Sequence, residues 1–220
     1  MKTALVTGAN RGIGLALCKT YLAQGWNVIG VCRTATPELL ASGARVVAGI
    51  DVTDAQALAQ LAGELEGQSI DLLINNAGIF LREELGQIDY QAIQRQFRVN
   101  AEAPLQVTET LLGNLAAGAK IAFITSRMGS IADNSSGAYY GYRMSKAALN
   151  AAAVSLARDL QPRGIAVAIL HPGFVQTAMV NFGGDISADE SAQRLSERIE
   201  GLNLENSGSF WHSNGDTLPW

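Results

Sequence analysis

The sequence is poor in cysteine and in aromatic side chains. Its two cysteines, Cys18 and Cys32, lie among apolar residues and form neither a CxxC motif nor a cluster with histidine. This placement favours two reduced thiols in the core over a disulfide or a metal site. No other grouping of histidine, cysteine and carboxylate indicates a bound metal, so we expect none.

An excess of positive charge is also missing. The chain has 16 lysines and arginines against 20 aspartates and glutamates, which gives a formal charge of −4. A charge balance of this kind provides no electrostatic footprint for a polyanion. We therefore expect no nucleic-acid partner.

Long hydrophobic runs are absent as well. The most apolar long stretch, residues 147–157, is interrupted by Asn150 and Ser155 and is too short to cross a bilayer. Residues 1–3 lead directly into an apolar segment, without the basic flank and cleavage site of a secretory signal. We expect a cytoplasmic protein with no membrane partner.

The chain does have a large apolar content, 48% of its 220 residues, which is enough for the core of a single domain spanning residues 1–220. Its apolar segments of strand length are nearly continuous in Val, Ile, Leu and Ala, which is typical of strands covered on both faces. We therefore predict an α/β fold with a parallel sheet between two layers of helices. The predicted strands are 3–7, 27–32, 45–49, 70–74, 120–125 and 165–170, with 208–212 as a candidate seventh.

Stretches with helical spacing fill the intervals between the strands. Glycine after a last turn and proline just beyond one are ordinary helix stop signals. Ser187 and Glu190 have the spacing of a capping box. The predicted helices are 12–24, 54–65, 90–112 and 142–160, and a further helix opens at 187 and runs to about 200.

A glycine-rich segment joins the first strand to the first helix. Residues 8–14 read GANRGIG, so backbone N–H groups and a helix N-terminus face one point. Unpaired amides favour an anion there, and glycine permits its close approach, which predicts the diphosphate of a dinucleotide. The spacing is GxxxGxG rather than GxGxxG, and a tight turn without ligand is the alternative. The residues assigned to this site are Gly8, Asn10, Arg11, Gly12, Ile13 and Gly14.

The residue after the second strand indicates which dinucleotide is bound. An NAD site usually places a carboxylate there, whereas this chain has Arg33. Arg33, helped by Arg11, could form charge-assisted bonds to the extra phosphate of NADP. We therefore predict NADP(H). NAD(H) is the alternative, because Glu38 follows closely and an arginine at a strand end is often merely solvated.

Tyr142 and Lys146 are four residues apart in a stretch of helical composition, so both side chains should project from one face. A free phenol has a pKa of about 10. An adjacent ammonium group and an oxidised nicotinamide would lower that pKa, so we expect Tyr142 to exchange a proton with a carbonyl or alcohol oxygen.

Taken together, these motifs resemble those of the short-chain dehydrogenase/reductase family. The sequence carries TGANRGIG, Asp51-Val52, Asn75-Asn76-Ala77-Gly78, Asn100, Ser126, YRMSK and HPGFVQT in the order and approximate spacing of that family. Within the family, YRMSKAALN and LHPGFVQTAM are most similar to the C-factor-like and sniffer-like carbonyl reductases. The resemblance implies a doubly wound Rossmann fold with strand order 3-2-1-4-5-6-7, and an enzyme that transfers a hydride between nicotinamide and a small carbonyl or alcohol substrate.

The resemblance also implies residue roles. Ser126 matches the serine that hydrogen-bonds the substrate oxygen. Ser130 is the alternative for this role, because the chain separation between Ser126 and Tyr142 is a few residues longer than is usual in the family. Lys146 matches the lysine that binds the nicotinamide ribose, and Asn100 the asparagine of a proton relay. Tyr142 and Lys146 therefore also count among the cofactor residues. The remaining cofactor residues implied by the resemblance are Asp51, Val52, Asn76, Ala77, Gly78, Pro172, Gly173, Val175 and Thr177.

Other expectations concern the substrate and the assembly. Residues 178–187 occupy the position of a substrate loop, and His171 is expected to be structural. The alanine-rich helix after Tyr142 could pack against a second copy, so we expect a homodimer or homotetramer. A signalling or redox-sensing protein with little turnover is the alternative function. Candidate pocket residues are Phe80, Met128, Phe174, Met179 and Phe182.

Overall fold

A seven-stranded sheet forms the centre of the protein in the computed structural model, which describes all residues, 1–220. Its strand order is 3-2-1-4-5-6-7 and every strand pair is parallel, so the predicted fold class and strand order are confirmed. The strands are β1 (Thr3–Thr7), β2 (Asn27–Val31), β3 (Arg45–Val47), β4 (Ile70–Asn75), β5 (Leu115–Ile124), β6 (Ala166–His171) and β7 (Phe210–His212).

Helices cover both faces of this sheet. On one face, Ile29, Leu73 and Ile121 belong to a buried cluster of 26 residues, and on the other, Val6 and Leu72 belong to a cluster of 21. Burial of every residue of β1 and β6 explains why these strands are continuously apolar. The helices are α1 (Gly12–Ala23), α2 (Pro37–Leu40), α3 (Ala55–Glu64), α4 (Tyr90–Phe97), α5 (Ala103–Thr110), α6 (Tyr140–Leu160) and α7 (Ala188–Glu200).

The predicted helix 90–112 is not continuous. A π-helical turn, Arg98–Glu102, separates α4 from α5, and the Ala103 N–H donates to the Arg98 carbonyl five residues back. Pro104 has no N–H and cannot bond to the Asn100 carbonyl in an α-helical pattern, so the backbone widens at this point. The turn points the Asn100 side chain into the protein interior, where the residue is fully buried.

Other boundaries also differ from those predicted. Strand β5 begins at Leu115 because this residue pairs with Ile70 ahead of a register shift in the β4–β5 ladder. Helix α6 begins at Tyr140, two residues early, and the short helix α2 was not predicted. Both cysteines are buried and unpaired. None of the helices is both long enough and apolar enough to span a membrane.

Candidate active site

One large cleft opens at the carboxyl ends of the strands and has a volume of about 730 Å³. It includes the point where the strand order reverses between β1 and β4, which is the usual ligand position in a doubly wound sheet. Four predicted site residues, Asn100, Ser126, Gly173 and Val175, do not line it. The predicted residues that do are Gly8, Asn10, Arg11, Gly12, Ile13, Gly14, Arg33, Asp51, Val52, Asn76, Ala77, Gly78, Tyr142, Lys146, Pro172 and Thr177.

Sequence reasoning missed part of the lining. Most of the missed residues stand beside a predicted site residue or at a strand end. The predicted strand ends could therefore have indicated these residues as part of the cleft. Of the candidate pocket residues, Met179 and Phe182 line the cleft, and Phe80, Met128 and Phe174 do not. Ala178 also lines the cleft, as the first residue of the predicted substrate loop. The missed residues are Val31, Cys32, Thr36, Ile50, Ile79, Val99, Ile124, Thr125 and Gln176.

The glycine loop needs its glycines for two different reasons. Gly8 and Gly12 have φ angles of +66° and +54°, in the left-handed region that favours glycine. At Gly14 the constraint is space, because a Cβ would lie 2.2 Å from the Gly8 carbonyl oxygen. The loop is therefore folded tightly onto the first turn of α1.

The end of β4 fixes the loop in place. The Asn76 side-chain amide donates to the Thr7 carbonyl (3.0 Å) and to the Gly8 carbonyl (3.3 Å). In return, the Thr7 hydroxyl accepts from the backbone N–H groups of Asn76 (3.0 Å) and Ala77 (3.1 Å). The two neighbouring strand ends are thus joined below the floor of the cleft.

The start of α1 is suited to a diphosphate. No side chain caps this helix, and its first turn contains no acidic residue, so its positive end faces the cleft without a protein anion. Gly8, Gly12 and Gly14 line the cleft with backbone atoms alone, which a diphosphate can approach closely. These features of the chain fit a dinucleotide.

Arg33 and Asp51 border the cleft beyond the ends of β2 and β3. Their charged groups are 4.0 Å apart, and the Arg33 side chain is 72% exposed. Hydrogen bonds from Thr53, mainly from its backbone N–H, lower the pKa of Asp51. Glu38, the candidate acid for an NAD site, is exposed on α2 and does not line the cleft.

Tyr142 and Lys146 lie one turn apart on α6 and both line the cleft. The Lys146 ammonium donates to the Ile124 carbonyl at the end of β5 (2.9 Å) and lies 5.8 Å from the centre of the Tyr142 ring. Ser126 follows β5 and is buried next to this pair. Ser130 is also buried, and both hydroxyls accept from a backbone N–H of their own loop, Ser126 from Met128 (3.1 Å) and Ser130 from Asp133 (3.0 Å).

Burial dominates the protonation of this pair. It raises the pKa of Tyr142 to about 12, against a lowering by the neighbouring Ser126 hydroxyl. It also lowers the pKa of Lys146 to about 8. The expected lowering of the Tyr142 pKa by Lys146 is therefore not found in the protein alone, because desolvation of the phenolate is the larger effect.

Asn100 lies behind the cleft rather than in its wall. Its side chain exchanges two hydrogen bonds with the Ile79 backbone, at 2.8 and 2.9 Å. It also donates to the Ser145 hydroxyl (3.0 Å), which in turn donates to the Tyr142 carbonyl (2.8 Å). The π-helical turn thus connects the loop after β4 to the helix that carries Tyr142.

The loop after β6 closes the other side of the cleft. Pro172 and Thr177 line it, whereas Val175 is buried and pairs with Ile186 across the base of the predicted substrate loop. Gly173 has a φ of +94°, which requires glycine at this turn. His171 is buried beneath the turn and its ring packs edge-on against His212, 4.8 Å between centres.

Sequence comparisons identify relatives over the whole chain. The profile of the family described as short chain dehydrogenase matches residues 2–186. The 1-hydroxy-2-glutathionyl-2-methyl-3-butene dehydrogenase of Rhodococcus sp. (strain AD45) is 38% identical over 226 positions and covers 100% of both chains. The C-signal protein of Myxococcus xanthus is 46% identical over 154 positions, which cover 69% of this chain and 93% of that protein.

Solved structures of two carbonyl reductases also match the whole chain. The NADPH-bound carbonyl reductase from chicken fatty liver matches with a TM-score of 0.92 at 30% identity, covering 100% of this chain and 99% of the other. The carbonyl reductase Sniffer of D. melanogaster matches with a TM-score of 0.93 at 30% identity over 100% of both chains. These matches confirm the resemblance stated from the sequence motifs. The chain belongs to the short-chain dehydrogenase family of oxidoreductases.

Proposed function

We propose that this chain is an NADPH-dependent carbonyl reductase in which Tyr142 gives a proton to the substrate oxygen. The observation that carries the proposal is that Tyr142 and Lys146 line the same cleft as the glycine loop. Bound NADPH would supply the hydride to the carbonyl carbon. The chain itself then has to hold the dinucleotide, orient the carbonyl and provide a proton.

The raised pKa of Tyr142 suits a proton donor. With a pKa of about 12, the phenol keeps its proton at neutral pH and can release it as negative charge develops on the substrate oxygen. The Ser126 hydroxyl, which bonds to the Tyr142 phenol, would stabilise the same oxygen. Lys146, held by the Ile124 carbonyl, would bind ribose hydroxyls of the dinucleotide.

A turnover assay tests this proposal. NADPH oxidation is followed with a panel of aldehydes, ketones and quinones, using the wild-type chain, Tyr142→Phe and Tyr140→Phe. Removing the proton donor should lower kcat by about 10² to 10⁴ while NADPH still binds. Tyr140→Phe is the matched control because Tyr140 starts the same helix without lining the cleft, and it should retain activity. Equal activity of all three proteins would contradict the role of Tyr142.

The preference for NADP(H) over NAD(H) is proposed from Arg33 and Arg11, which both line the cleft. The chicken carbonyl reductase, with its bound NADPH, is consistent with this choice. Arg33→Asp should lower kcat/KM for NADPH about 10- to 100-fold and leave that for NADH unchanged or higher, because a charge-assisted bond is replaced by repulsion. Glu38→Gln, outside the cleft, should change neither value. An unchanged preference in Arg33→Asp would contradict the assignment.

A signalling protein with little turnover is the second candidate function. The specific observation in its favour is the 46% identity to the C-signal protein. The same assay separates the two candidates: binding of NADPH without turnover of any carbonyl favours signalling, and turnover that depends on Tyr142 favours the enzyme.

The substrate loop and the assembly complete the proposal. We assign residues 178–187 to a substrate loop within a single domain, and the loop contributes Ala178, Met179 and Phe182 to the cleft. This apolar lining suits a small molecule with an apolar group beside its carbonyl. We also propose a homodimer or homotetramer through the alanine-rich surface of α6, where Ala151 is exposed. Sedimentation that finds only monomer at micromolar concentration would contradict the assembly.

A further inference from the structure

The segment of residues 79–83, which follows β4 and which we name the strap, connects α4 to the start of α6. The Ile79 backbone bonds to the Asn100 side chain, and the Leu81 N–H donates to the Gln96 side-chain oxygen (2.8 Å). At its far end, the Glu83 carbonyl accepts from the Tyr139 N–H (2.9 Å). Each of these contacts joins residues that are distant in sequence, so the strap depends on tertiary packing.

Glu83 is the buried acid of the strap, with 2% of its surface exposed, and it takes part in none of the ion pairs of the chain. One carboxylate oxygen accepts from the Gln96 side-chain amide, and the other accepts from the Gly141 N–H (3.2 Å). Gly141 is in the first turn of the 21-residue helix α6. Glu83 therefore places a negative charge at the positive end of this helix.

Helix α6 has no cap of its own. Tyr139 occupies the N-cap position with a left-handed backbone, φ +54°, and its side chain makes no capping bond. Ala138 is also left-handed, with φ +52°. Residues other than glycine rarely adopt this conformation, and it persists where surrounding contacts impose it. Glu83 supplies two such contacts, one from its carbonyl and one from its carboxylate.

Gly141 has no room for any side chain. A Cβ there would lie 2.5 Å from the Gln96 amide nitrogen, 2.8 Å from the Glu83 carboxylate and 3.0 Å from the Ile93 Cα. At this point α4 packs tightly against the start of α6, around the Glu83–Gln96 pair. Glycine at this position is explained by that packing, since its φ is not in the left-handed region.

Tyr142 follows Gly141 directly and is held by the same strap. The ring of Phe80 packs edge-on against the Tyr142 ring, with 4.8 Å between centres. The Tyr142 backbone is also held by Ser145, whose hydroxyl donates to the Tyr142 carbonyl. A change in the Glu83 contact is therefore transmitted to the Tyr142 backbone over a single residue.

We infer that Glu83 and Gln96 are positioning residues for Tyr142: the buried carboxylate caps α6 from the strap and fixes the phenol relative to Ser126 and the cleft. This inference rests on the proposed function, because it assigns a purpose to the position of the phenol. Neither residue touches the cleft, so neither acts on substrate or cofactor directly.

The hydrogen-bond pattern gives a sharp test. Glu83→Gln has nearly the same shape but only one acceptor oxygen for two N–H donors. Flipping Gln96 does not help, because its amide would then face the Leu81 N–H, so one donor always meets another donor. The double variant Glu83→Gln with Gln96→Glu satisfies every group again: the new carboxylate accepts from Leu81 and from the amide at 83, whose oxygen accepts from Gly141.

Turnover with NADPH and a carbonyl is measured for the wild type, Glu83→Gln, the swapped double variant and Glu84→Gln. The last is the matched control, since the Glu84 side chain is 59% exposed and pairs with Arg82. Glu83→Gln should lower kcat about 10- to 100-fold, with the KM for NADPH and the circular dichroism spectrum unchanged. The kcat of the swapped variant should recover to within a few-fold of the wild-type value. The kcat of Glu84→Gln should equal that of the wild type.

Where the wild type turns over a carbonyl, two outcomes overturn the inference. Full activity of Glu83→Gln shows that the carboxylate does not position Tyr142. Loss of kcat, NADPH affinity and folded structure in parallel, without recovery in the swapped variant, shows a purely structural role. If the wild type turns over no carbonyl, the proposed function fails, and hydrogen exchange at the Gly141 amide then tests the inference. Faster exchange in Glu83→Gln, with recovery in the swapped variant, supports the cap. Equal exchange in all four proteins overturns it.

Discussion

Gly14→Ala tests whether the glycine loop is shaped by close backbone contact. The added Cβ would lie 2.2 Å from the Gly8 carbonyl oxygen and 2.6 Å from the Asn76 side-chain nitrogen. The first of these atoms belongs to the backbone, and the second is held by its bonds to the Thr7 and Gly8 carbonyls. An ordinary van der Waals contact therefore requires the loop to retreat by roughly 1 Å.

Two opposing effects set the change in the free energy of unfolding. Alanine is favoured over glycine in a helix by up to about 1 kcal/mol, and Gly14 is in the first turn of α1. Overpacking against fixed atoms costs about 1–3 kcal/mol. We expect Gly14→Ala to be destabilised by about 1–2 kcal/mol. Gly63→Ala is the matched control, because Gly63 lies in α3 with nothing within 4 Å of its added Cβ, and it should be stabilised.

The same displacement should weaken dinucleotide binding. Backbone N–H groups that point at a diphosphate form charge-assisted bonds, each worth about 1.5–3 kcal/mol. Loss of one such bond raises Kd for NADPH at least about tenfold. Urea unfolding and NADPH fluorescence titration measure the two effects. A Gly14→Ala variant that is as stable as Gly63→Ala and binds NADPH as tightly as the wild type would show that close backbone contact does not shape the loop.

Two further predictions concern Ser126 and His171. Ser126→Ala should lower kcat about 10²- to 10³-fold with little change in NADPH affinity, because of the two serines Ser126 is the one that bonds to the Tyr142 phenol. Ser130→Ala should stay within a few-fold of wild type. Steady-state kinetics that rank the two serines the other way would contradict this assignment. Burial, with smaller contributions from His212 and Arg127, lowers the pKa of His171 to about 3 against a raising by Asp133. Its neutral ring therefore contributes stability that is fully present above pH 6.5 and is lost as the pH falls towards 3. Between about pH 6 and 4, the free energy of unfolding of the wild type should accordingly fall by up to about 1 kcal/mol per pH unit more than that of His171→Gln. Urea midpoints of the two proteins that change in parallel with pH would disprove this.

The architecture was accessible from the sequence because its signals are local. Continuous apolar segments such as residues 165–170 identify strands covered on both faces. The GANRGIG segment joins a strand to a helix N-terminus, which favours an anion such as a diphosphate. The four-residue spacing of Tyr142 and Lys146 places both on one helix face whatever lies around them. Family motifs then supplied the strand order that local signals leave open.

Local signals could not give the environment of these residues. The π-helical turn at Arg98–Glu102 depends on Asn100 bonding to the distant Ile79 backbone as well as on Pro104. The raised pKa of Tyr142 comes from burial, which a sequence pattern does not measure.

By itself, then, the sequence indicated the strands, most of the helices and the face of α6 that carries Tyr142 and Lys146, because backbone hydrogen bonding and side-chain periodicity act over a few residues. Only the tertiary structure decided how α6 begins. Its cap comes from Glu83, which is 58 residues away in the chain from Gly141. Contacts at that separation exist only once the strap, α4 and α6 are packed together, and no short pattern encodes them.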